Sequence, residues 1–221
     1  MEAKKEKIQT PFQESLKKIL SNKMCLISLI VLLILSLFSI FGPMFTGYES
    51  DSIDLLHMLS GPSKTHLLGT DELGRDMLTR LAEGGRVSIS VGLIATLFKL
   101  CIGVLLGCIA GLYGGLAENV IMRIVDIIMC FPFFVIALCI ASITGPSFYN
   151  TIFIIGILGW PGVCRIVRSQ VLSLKNVEYV DAARSLGLSQ MEIIFRHILP
   201  NASGPIIVYT TLSVANAILM E

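Results

Sequence analysis

The sequence predicts an all-α integral membrane protein, a polytopic helical bundle with four complete transmembrane helices and a fifth that is incomplete. Its residues are 54% hydrophobic and only 15% charged, whereas soluble domains are about 25% charged. The apolar residues also lie in long unbroken runs rather than at a helical or strand period, and about 20 such residues suffice for an α-helix to cross the hydrocarbon layer.

The first apolar run contains 25 uncharged residues, from 24 to 48. It predicts a transmembrane helix over residues 24–46, preceded by a tail of residues 1–23. The alternative is a secretory signal peptide, whose apolar stretch would be about 7–15 residues long and would end in a small-residue cleavage site. The length of the run favours a membrane span.

Later apolar runs predict the other spans. The run over residues 87–117 is interrupted by Lys99. The run over 127–164 has 38 uncharged residues, too many for one helix, and the turn signal at 145–147 divides it. The run over 198–220 ends with the chain, so we expect an incomplete helix and a C-terminal truncation. The predicted spans cover residues 24–46, 87–117, 127–144, 150–167 and 198–220.

The charges on the loops predict the orientation. Six lysines precede the first span, and the positive-inside rule therefore places the N-terminus in the cytoplasm. Residues 47–86 then lie outside, with seven acidic and four basic residues, and residues 165–196 lie inside, with three acidic and five basic. The basic residues follow the assigned sides. The six lysines are Lys4, Lys5, Lys7, Lys17, Lys18 and Lys23.

The cytoplasmic loop over residues 168–200 carries signals for two short helices joined by a glycine. Asn176 is placed to cap the first helix, and Gly187 is placed to end it in the left-handed conformation. Residues 189–192 read Ser-Gln-Met-Glu, the spacing of a capping box that begins the second helix. The sequence therefore predicts an elbow suited to docking a partner, in which a bare pair of alanines lets the partner approach closely.

The elbow resembles the loop motif of permeases in binding-protein-dependent ABC importers. In that family the loop inserts into a cleft of the cytoplasmic ATPase, so the resemblance implies a coupling role here. Asp181 stands where the family has glutamate and keeps the charge. His197 stands where an aliphatic residue is usual, which fits the peptide-transporter branch. The residues assigned to coupling are Glu178, Asp181, Ala182, Ala183, Gly187, Leu199 and Pro200. The alternative is an amphipathic loop that packs on the lipid surface.

The external segment over residues 47–86 carries a second signature. Two glycines mark turns, and charged residues at short helical spacings predict a compact cap laced with ion pairs. The string resembles the external signature of dipeptide, oligopeptide and nickel permeases. The sequence leaves two roles open, a platform for the substrate-binding protein or a clamp that orients the first two spans. The signature residues are Gly69, Thr70, Asp71, Gly74, Arg75, Asp76 and Arg80.

Within the membrane, Gly103, Gly107 and Gly111 recur at four-residue spacing and predict close helix packing. Lys99 is either a pore-facing group that meets a substrate carboxylate or a structural lysine that pairs or snorkels, and the structural reading is slightly favoured. Further along, Arg123 and Asp126 are spaced to form a local ion pair.

The sequence predicts a transport subunit rather than an enzyme. It contains no G-x-x-x-x-G-K-[ST] phosphate loop, no H-E-x-x-H and no G-x-S-x-G. We therefore predict no catalytic residue, no metal site and no cofactor on this chain, and we expect ATP and magnesium on partner subunits. The six cysteines lack a C-x-x-C pair and are interpreted as small core residues.

The resemblance covers nearly the whole chain and implies a C-type permease of the dipeptide, oligopeptide and nickel branch, with six helices in the full-length family. It implies a multi-pass protein of the prokaryotic cytoplasmic membrane, with residues 87–221 as its permease domain. The implied partners are a second homologous permease, two cytoplasmic ATPases and an extracytoplasmic binding protein that delivers the substrate. No nucleic acid is expected. The alternative is a secondary transporter driven by an ion gradient.

Overall fold

The computed structural model of the protein describes residues 21–221, so five of the six N-terminal lysines lie outside the described residues. Within this part of the chain the regular structure is helical and contains no strand, which confirms the predicted all-α class. The helices are α1 (Lys23–Thr46), α2 (Met77–Tyr113), α3 (Gly115–Cys130), α4 (Phe133–Thr144), α5 (Phe148–Leu174), α6 (Glu178–Ser185), α7 (Gln190–Ile193) and α8 (Leu199–Met220).

The chain divides into two compact units, one ending at Arg86 and the other beginning at Val87. Four helices of the described residues are long and apolar enough to cross a membrane, namely α1, α2, α5 and the continuous helix Gln190–Met220. The pair α3 and α4 is bent by 85° and makes a fifth candidate. The predicted polytopic membrane protein is thereby confirmed.

In the first unit, α1 begins and ends where local chemistry dictates. The Asn22 side chain caps the helix by accepting a hydrogen bond from the Met24 backbone N–H at 3.1 Å, and Gly47 ends it at a φ of 68°. Most of its leucine and isoleucine side chains are exposed, as expected for a helix whose solvent is lipid.

Small residues let α1 cross closely over the first turns of α2. A Cβ added to Gly42 would lie 2.7 Å from the Ala82 Cβ, and one added to Gly85 would collide with the Ser39 hydroxyl. The Ser39 hydroxyl is satisfied within its own helix, because it donates to the Leu35 carbonyl at 2.9 Å. This crossing resembles the close approach of membrane helices at small residues.

The second unit is built on a close parallel contact between α2 and α5. A Cβ added to Gly103, Gly107 or Gly111 would lie 2.5, 2.7 and 2.7 Å from the Cβ atoms of valines on α5. The valines, in the same order, are Val163, Val167 and Val171. The predicted packing role of these glycines is confirmed. Both helices advance by four residues at each contact, so they run in the same direction.

Because α2 and α5 are parallel, the α3–α4 segment between them must return the chain to the opposite end of the bundle. The bent pair is therefore one broken span rather than a loop that enters and leaves on the same side. The prediction of a single helix over residues 127–144 is wrong. Phe131 is extended, with φ −96° and ψ 141°, because the residue before Pro132 is disfavoured in the helical region.

Two other boundaries differ from the predicted spans. The second helix begins at Met77, ten residues before the run at 87, and has 37 residues, about 55 Å at 1.5 Å per residue. It ends at Tyr113 rather than 117, because Gly114 and Gly115 both take positive φ values. Its N-terminal turns thus extend beyond a hydrocarbon layer of about 30 Å.

We predict that Gly107→Ala destabilises the bundle by about 1–3 kcal/mol, because the new methyl would meet both the Val167 side chain and, at 2.8 Å, the Cys164 carbonyl. Thermal unfolding of the purified transporter in detergent measures this. The matched control is Gly84→Ala on the same helix, where the added methyl meets nothing within 4 Å. Equal unfolding temperatures for the two variants would contradict the packing role.

Candidate docking elbow and external signature

The first helix of the elbow, α6, ends through a complete glycine cap. Gly187 has a φ of 80°, and its N–H donates to the Arg184 carbonyl at 2.9 Å. The Leu188 N–H donates to the Ala183 carbonyl at 3.2 Å. These two bonds form a Schellman motif, in which the residue after the end of the helix takes a positive φ, as Gly187 does here. The predicted role of Gly187 in ending the helix is confirmed.

The start of α6 differs from the prediction. The N-cap position is Val177, and no side chain caps the helix, so the prediction that Asn176 caps it is wrong. The first turn instead carries Glu178 and Asp181, whose negative charges interact favourably with the helix N-terminus. The second half of the elbow agrees with the sequence, because Ser189 and Glu192 form the predicted capping box.

Buried side chains fix the elbow to the membrane bundle. Val180 and Ala183 on α6 lie in one hydrophobic cluster with Ile193 and Ile198 from the second half of the elbow. The same cluster contains the three valines of α5 that contact α2. The alanine pair is therefore split, since Ala183 is buried and anchors the elbow while Ala182 is exposed.

The outer face of the elbow presents Asp181 and Ala182 together with an apolar residue that the sequence analysis missed. Leu186 is 81% exposed, directly before the capping glycine. Beside Asp181 and Ala182, this leucine gives the outer face an apolar side chain that a partner surface could cover. In the sequence, this leucine follows the polar pair Arg184-Ser185 and directly precedes Gly187, and that position could have identified it.

The final pair of the coupling motif, Leu199-Pro200, follows a π-helical turn over Ile194–Ile198. Pro200 has no N–H and would crowd the carbonyl one turn earlier. The wider turn relieves this, because the Leu199 N–H donates to the Ile194 carbonyl five residues back. The Asn201 side chain then donates to the His197 carbonyl at 2.6 Å. The chain thus passes from the elbow into α8 without a break.

We predict that Gly187→Val strains the elbow and uncouples ATP hydrolysis from transport. Nothing lies within 4 Å of the added Cβ, so the cost is in the backbone alone, about 1–2 kcal/mol for a left-handed residue with a side chain. Uptake and ATPase activity of the assembled transporter are measured together. Gly84→Val, on α2, where nothing lies within 4 Å and φ is not in the left-handed region, is the control.

In the external segment, Asp71 joins two arginines and two backbone groups. One carboxylate oxygen accepts from the Arg75 Nε at 2.8 Å and from Arg80 at 2.9 Å. The other accepts from the backbone N–H groups of Leu73 and Arg75 at 2.9 and 3.0 Å. Two of the predicted charged residues, Arg75 and Arg80, thus pair with an acid that lies in the turn before α2.

Asp76 caps the N-terminus of α2. Its carboxylate accepts from the Thr79 backbone N–H at 2.8 Å and from the Thr79 hydroxyl at 2.7 Å. The other oxygen lies 3.0 Å from the buried His66 Nδ1, and the His66 ring lies against Tyr48 with centroids 4.8 Å apart. The cap therefore also ties the helix to the segment before it.

Gly69 and Gly74 hold the turns between these groups, with φ values of 80° and 72°. A Cβ at either position would strike a backbone carbonyl, that of Ser60 or that of Asp54 respectively. Thr70 completes the network, because its hydroxyl accepts from the Ser60 N–H at 3.0 Å and donates to the His57 carbonyl. The structure brings all seven signature residues together, and their contacts favour the clamp.

Hydrogen bonds set the acidity of both aspartates. Burial by itself raises the pKa of Asp71, but the N–H groups of Arg75 and Leu73 and the Arg75 guanidinium outweigh it and hold the pKa below its usual value. Burial also raises the pKa of Asp76, but the hydrogen bonds from Thr79 and the contact with His66 outweigh it, so that the pKa of Asp76 is lowered. Both carboxylates are therefore stabilised in the charged form by the fold.

We predict that the external segment keeps its structure from pH 7 to pH 5 and loosens as the pH falls below about 4. Because the pKa of each carboxyl is lower in the folded than in the unfolded protein, its charge stabilises the fold at pH values above the unfolded pKa of about 3.9. This stabilisation is lost as the pH falls further and the folded carboxyl becomes protonated. Amide hydrogen exchange over residues 69–80, corrected for intrinsic rates, measures this. Asp71→Asn should remove part of the acid dependence, whereas Asp51→Asn, at an exposed aspartate, should not.

Lys99 is buried, and its ammonium donates to the Ser213 carbonyl on α8 at 3.1 Å. Its stem lies under Gly159 of α5, where an added Cβ would be 2.8 Å from the lysine Cδ. In the described chain Lys99 therefore ties three helices together, which favours the structural reading over the pore-facing one.

Two ion pairs join α3 to α5. Arg165 lies 2.7 Å from Asp126, and Arg168 pairs with Glu118. The predicted local pair of Arg123 with Asp126 is wrong, because the carboxylate turns to the neighbouring helix. Among the described residues, no group of three or more His, Cys, Asp or Glu side chains is placed to hold a metal ion.

Residues 103–221 match the family described as binding-protein-dependent transport system inner membrane component. Residues 10–62 match the N-terminal transmembrane domain of oligopeptide transport permease C. The chain is also similar to the oligopeptide transport system permease protein OppC of Bacillus subtilis strain 168. The two are 39% identical over 210 residues, which are 95% of this chain and 69% of the relative.

Two further relatives agree with this. The dipeptide transport system permease protein DppC of Alkalihalophilus pseudofirmus is 40% identical over 210 residues, covering 95% of this chain and 69% of the relative. A putative peptide permease protein of Brucella abortus biovar 1 is 38% identical over 211 residues, covering 96% and 70%.

Proposed function

Since the chain belongs to the binding-protein-dependent transport system inner membrane components, we propose that it forms part of the path by which dipeptides or oligopeptides cross the cytoplasmic membrane. Membership makes it a membrane-spanning permease subunit of an ABC importer, and ATP hydrolysis belongs to a separate subunit. The alternative of a transporter driven by an ion gradient is thereby set aside.

The proposed coupling mechanism rests on how the elbow is built. Its inner side is buried in the same cluster as the α5 valines, and its outer side presents Asp181, Ala182 and Leu186. A force applied to the outer face is therefore passed to α5, and through the glycine contacts to α2. This is the connection that coupling between an ATPase and a membrane path requires.

In the proposed assembly, the chain pairs with a second homologous permease, and two ATPases dock on the cytoplasmic side with ATP and magnesium bound to them. A binding protein delivers the peptide from outside. The external segment is then a clamp that holds the start of α2 in place while its exposed surface faces the binding protein. The N-terminus lies in the cytoplasm, and the parallel course of α2 and α5 supports this alternation of spans.

The names of the relatives support peptides as the substrate. Dipeptides and oligopeptides appear in them, whereas the sequence by itself also allows nickel. A peptide carries an apolar side chain and hydrogen-bonding backbone groups, and both suit a path lined by apolar helices with occasional freed carbonyls. We therefore propose a peptide, rather than nickel, as the substrate.

The test is uptake of a labelled dipeptide, and of nickel, into vesicles that contain the full-length complex, with and without ATP in the compartment that faces the elbow. We expect ATP-dependent uptake of the dipeptide. Uptake driven by an ion gradient with no need for ATP would overturn the proposal, and ATP-dependent uptake of nickel alone would change its substrate.

We predict that Leu186→Asp lowers ATP-driven uptake on the order of tenfold or more, because loss of a central apolar contact typically costs 2 kcal/mol or more in a protein interface. Binding of the ATPase to the permease complex is measured alongside. The control is Leu116→Asp, a leucine outside the elbow that is similarly exposed, at 84%. Equal loss in both variants would show a general effect of the charge.

A further inference from the structure

The broken span creates an irregular stretch of backbone in the membrane. α3 ends at Cys130 and α4 begins at Phe133, with Phe131 exposed at the bend. Pro132 has no N–H, so the carbonyl four residues earlier, that of Ile128, loses its usual helical donor. On the neighbouring helix α5, Pro161 lies within the helix and removes the donor of the Ile157 carbonyl in the same way.

Pro161 and the two residues that flank Pro132, Phe131 and Phe133, line one cavity. It has a volume of about 330 Å³ and is lined by residues of α3, the bend, α4, α5 and α8. Among the described residues that line it, Tyr209 carries the one polar side chain, and the others are apolar or glycine. Its walls include Met129, Phe131, Ile136, Pro161, Gly162 and Tyr209.

The ion pair between Asp126 and Arg165 indicates the depth of the cavity. A charged pair is costly near the bilayer centre, so it marks a level close to the membrane surface. Phe131 lies five residues beyond Asp126, and Pro161 lies four residues before Arg165. These separations are about 7.5 and 6 Å along the helices. The cavity therefore lies more than one helical turn inside the charged level.

Irregular backbone at this depth is tolerated only where it is buried in protein or lines a water-filled space. In the described chain the bend is not covered, since Phe131 is 57% exposed. A bend exposed to lipid would leave the freed carbonyls without hydrogen-bond donors. Its position beside an open cavity therefore points to a space that admits water and solute.

We propose that this cavity lies on the translocation path and receives an apolar side chain of the transported peptide, an inference that rests on the proposed function. The apolar walls solvate the side chain, and Ile128, which lines the cavity, has a carbonyl without its helical donor that accepts a hydrogen bond from an N–H group of the peptide. The Tyr209 hydroxyl adds a group that donates or accepts. The site would thus favour peptides with leucine or phenylalanine over those with alanine alone.

The experiment compares two cysteine variants of the complete transporter in which the exposed native cysteines, Cys25, Cys101, Cys130 and Cys139, are replaced by serine. Met129→Cys places a thiol on the cavity wall. Ile127→Cys places one two residues earlier on the same helix, at a residue that is 55% exposed and does not line the cavity. A charged, membrane-impermeant thiosulfonate then labels thiols that are in contact with water.

We expect labelling at position 129 to be at least tenfold faster than at position 127, and to be slowed severalfold by a leucine- or phenylalanine-containing dipeptide but little by dialanine. A thiol at 129 that does not react would show that lipid or the second permease fills the cavity, and this would overturn the proposal. Reaction without protection by any peptide would overturn the side-chain site.

A second variant tests selectivity without relying on labelling. Met129→Trp fills the cavity, so the ratio of phenylalanine-dipeptide to dialanine uptake should fall at least threefold, whereas Ile127→Trp should leave the ratio unchanged. An unchanged ratio in Met129→Trp would contradict the proposal. If the unsubstituted transporter takes up no peptide, the proposed function itself fails, and the labelling at 129 still reports whether the cavity admits water.

Discussion

The absence of a side chain at three glycines of α2 is the constraint on which the second unit depends. Because Gly103, Gly107 and Gly111 lie directly under three valines of α5, the two helices approach closely and in the same direction. In lipid there is little hydrophobic force to hold helices together, so close packing between backbones has to do so. Their parallel course then obliges the segment between them to cross the membrane, although its helix is broken.

The same valines connect this contact to the elbow. They share one hydrophobic cluster with Val180, Ala183 and the isoleucines of the second half of the elbow. The elbow is therefore an extension of the packed helix pair rather than a flexible loop. A short helix of eight residues would be marginal by itself. Burial on the bundle and the cap at Gly187 stabilise α6, and the capping box at Ser189 stabilises the start of the helix that follows it.

Proline accompanies several of the places where the described helices depart from regular geometry. Pro132 ends α3, Pro161 lies within α5, and Pro200 follows a π-helical turn. No water is available to a freed carbonyl in the hydrocarbon layer, so each such carbonyl needs another hydrogen-bond donor or a change in the local geometry. At Pro200 the wider turn provides it, because the Leu199 N–H donates to the Ile194 carbonyl five residues back. At the bend, a cavity is lined by Phe131, Phe133 and Pro161, and we therefore assign that cavity to the path.

The sequence by itself determined the features that depend on local chemistry: the apolar runs, the glycine stripe, the Gly187 cap, the Ser189 capping box and the turns at Gly69 and Gly74. Only the tertiary structure decided which partners the long side chains take. Asp71 turned to two arginines, Asp126 to Arg165 on another helix, and Lys99 to a carbonyl on α8. It also separated Ala182 from Ala183 and exposed Leu186. The Asp126 and Lys99 contacts join residues far apart in the chain, which local spacing does not specify, whereas Asp71 takes its arginines from within nine residues.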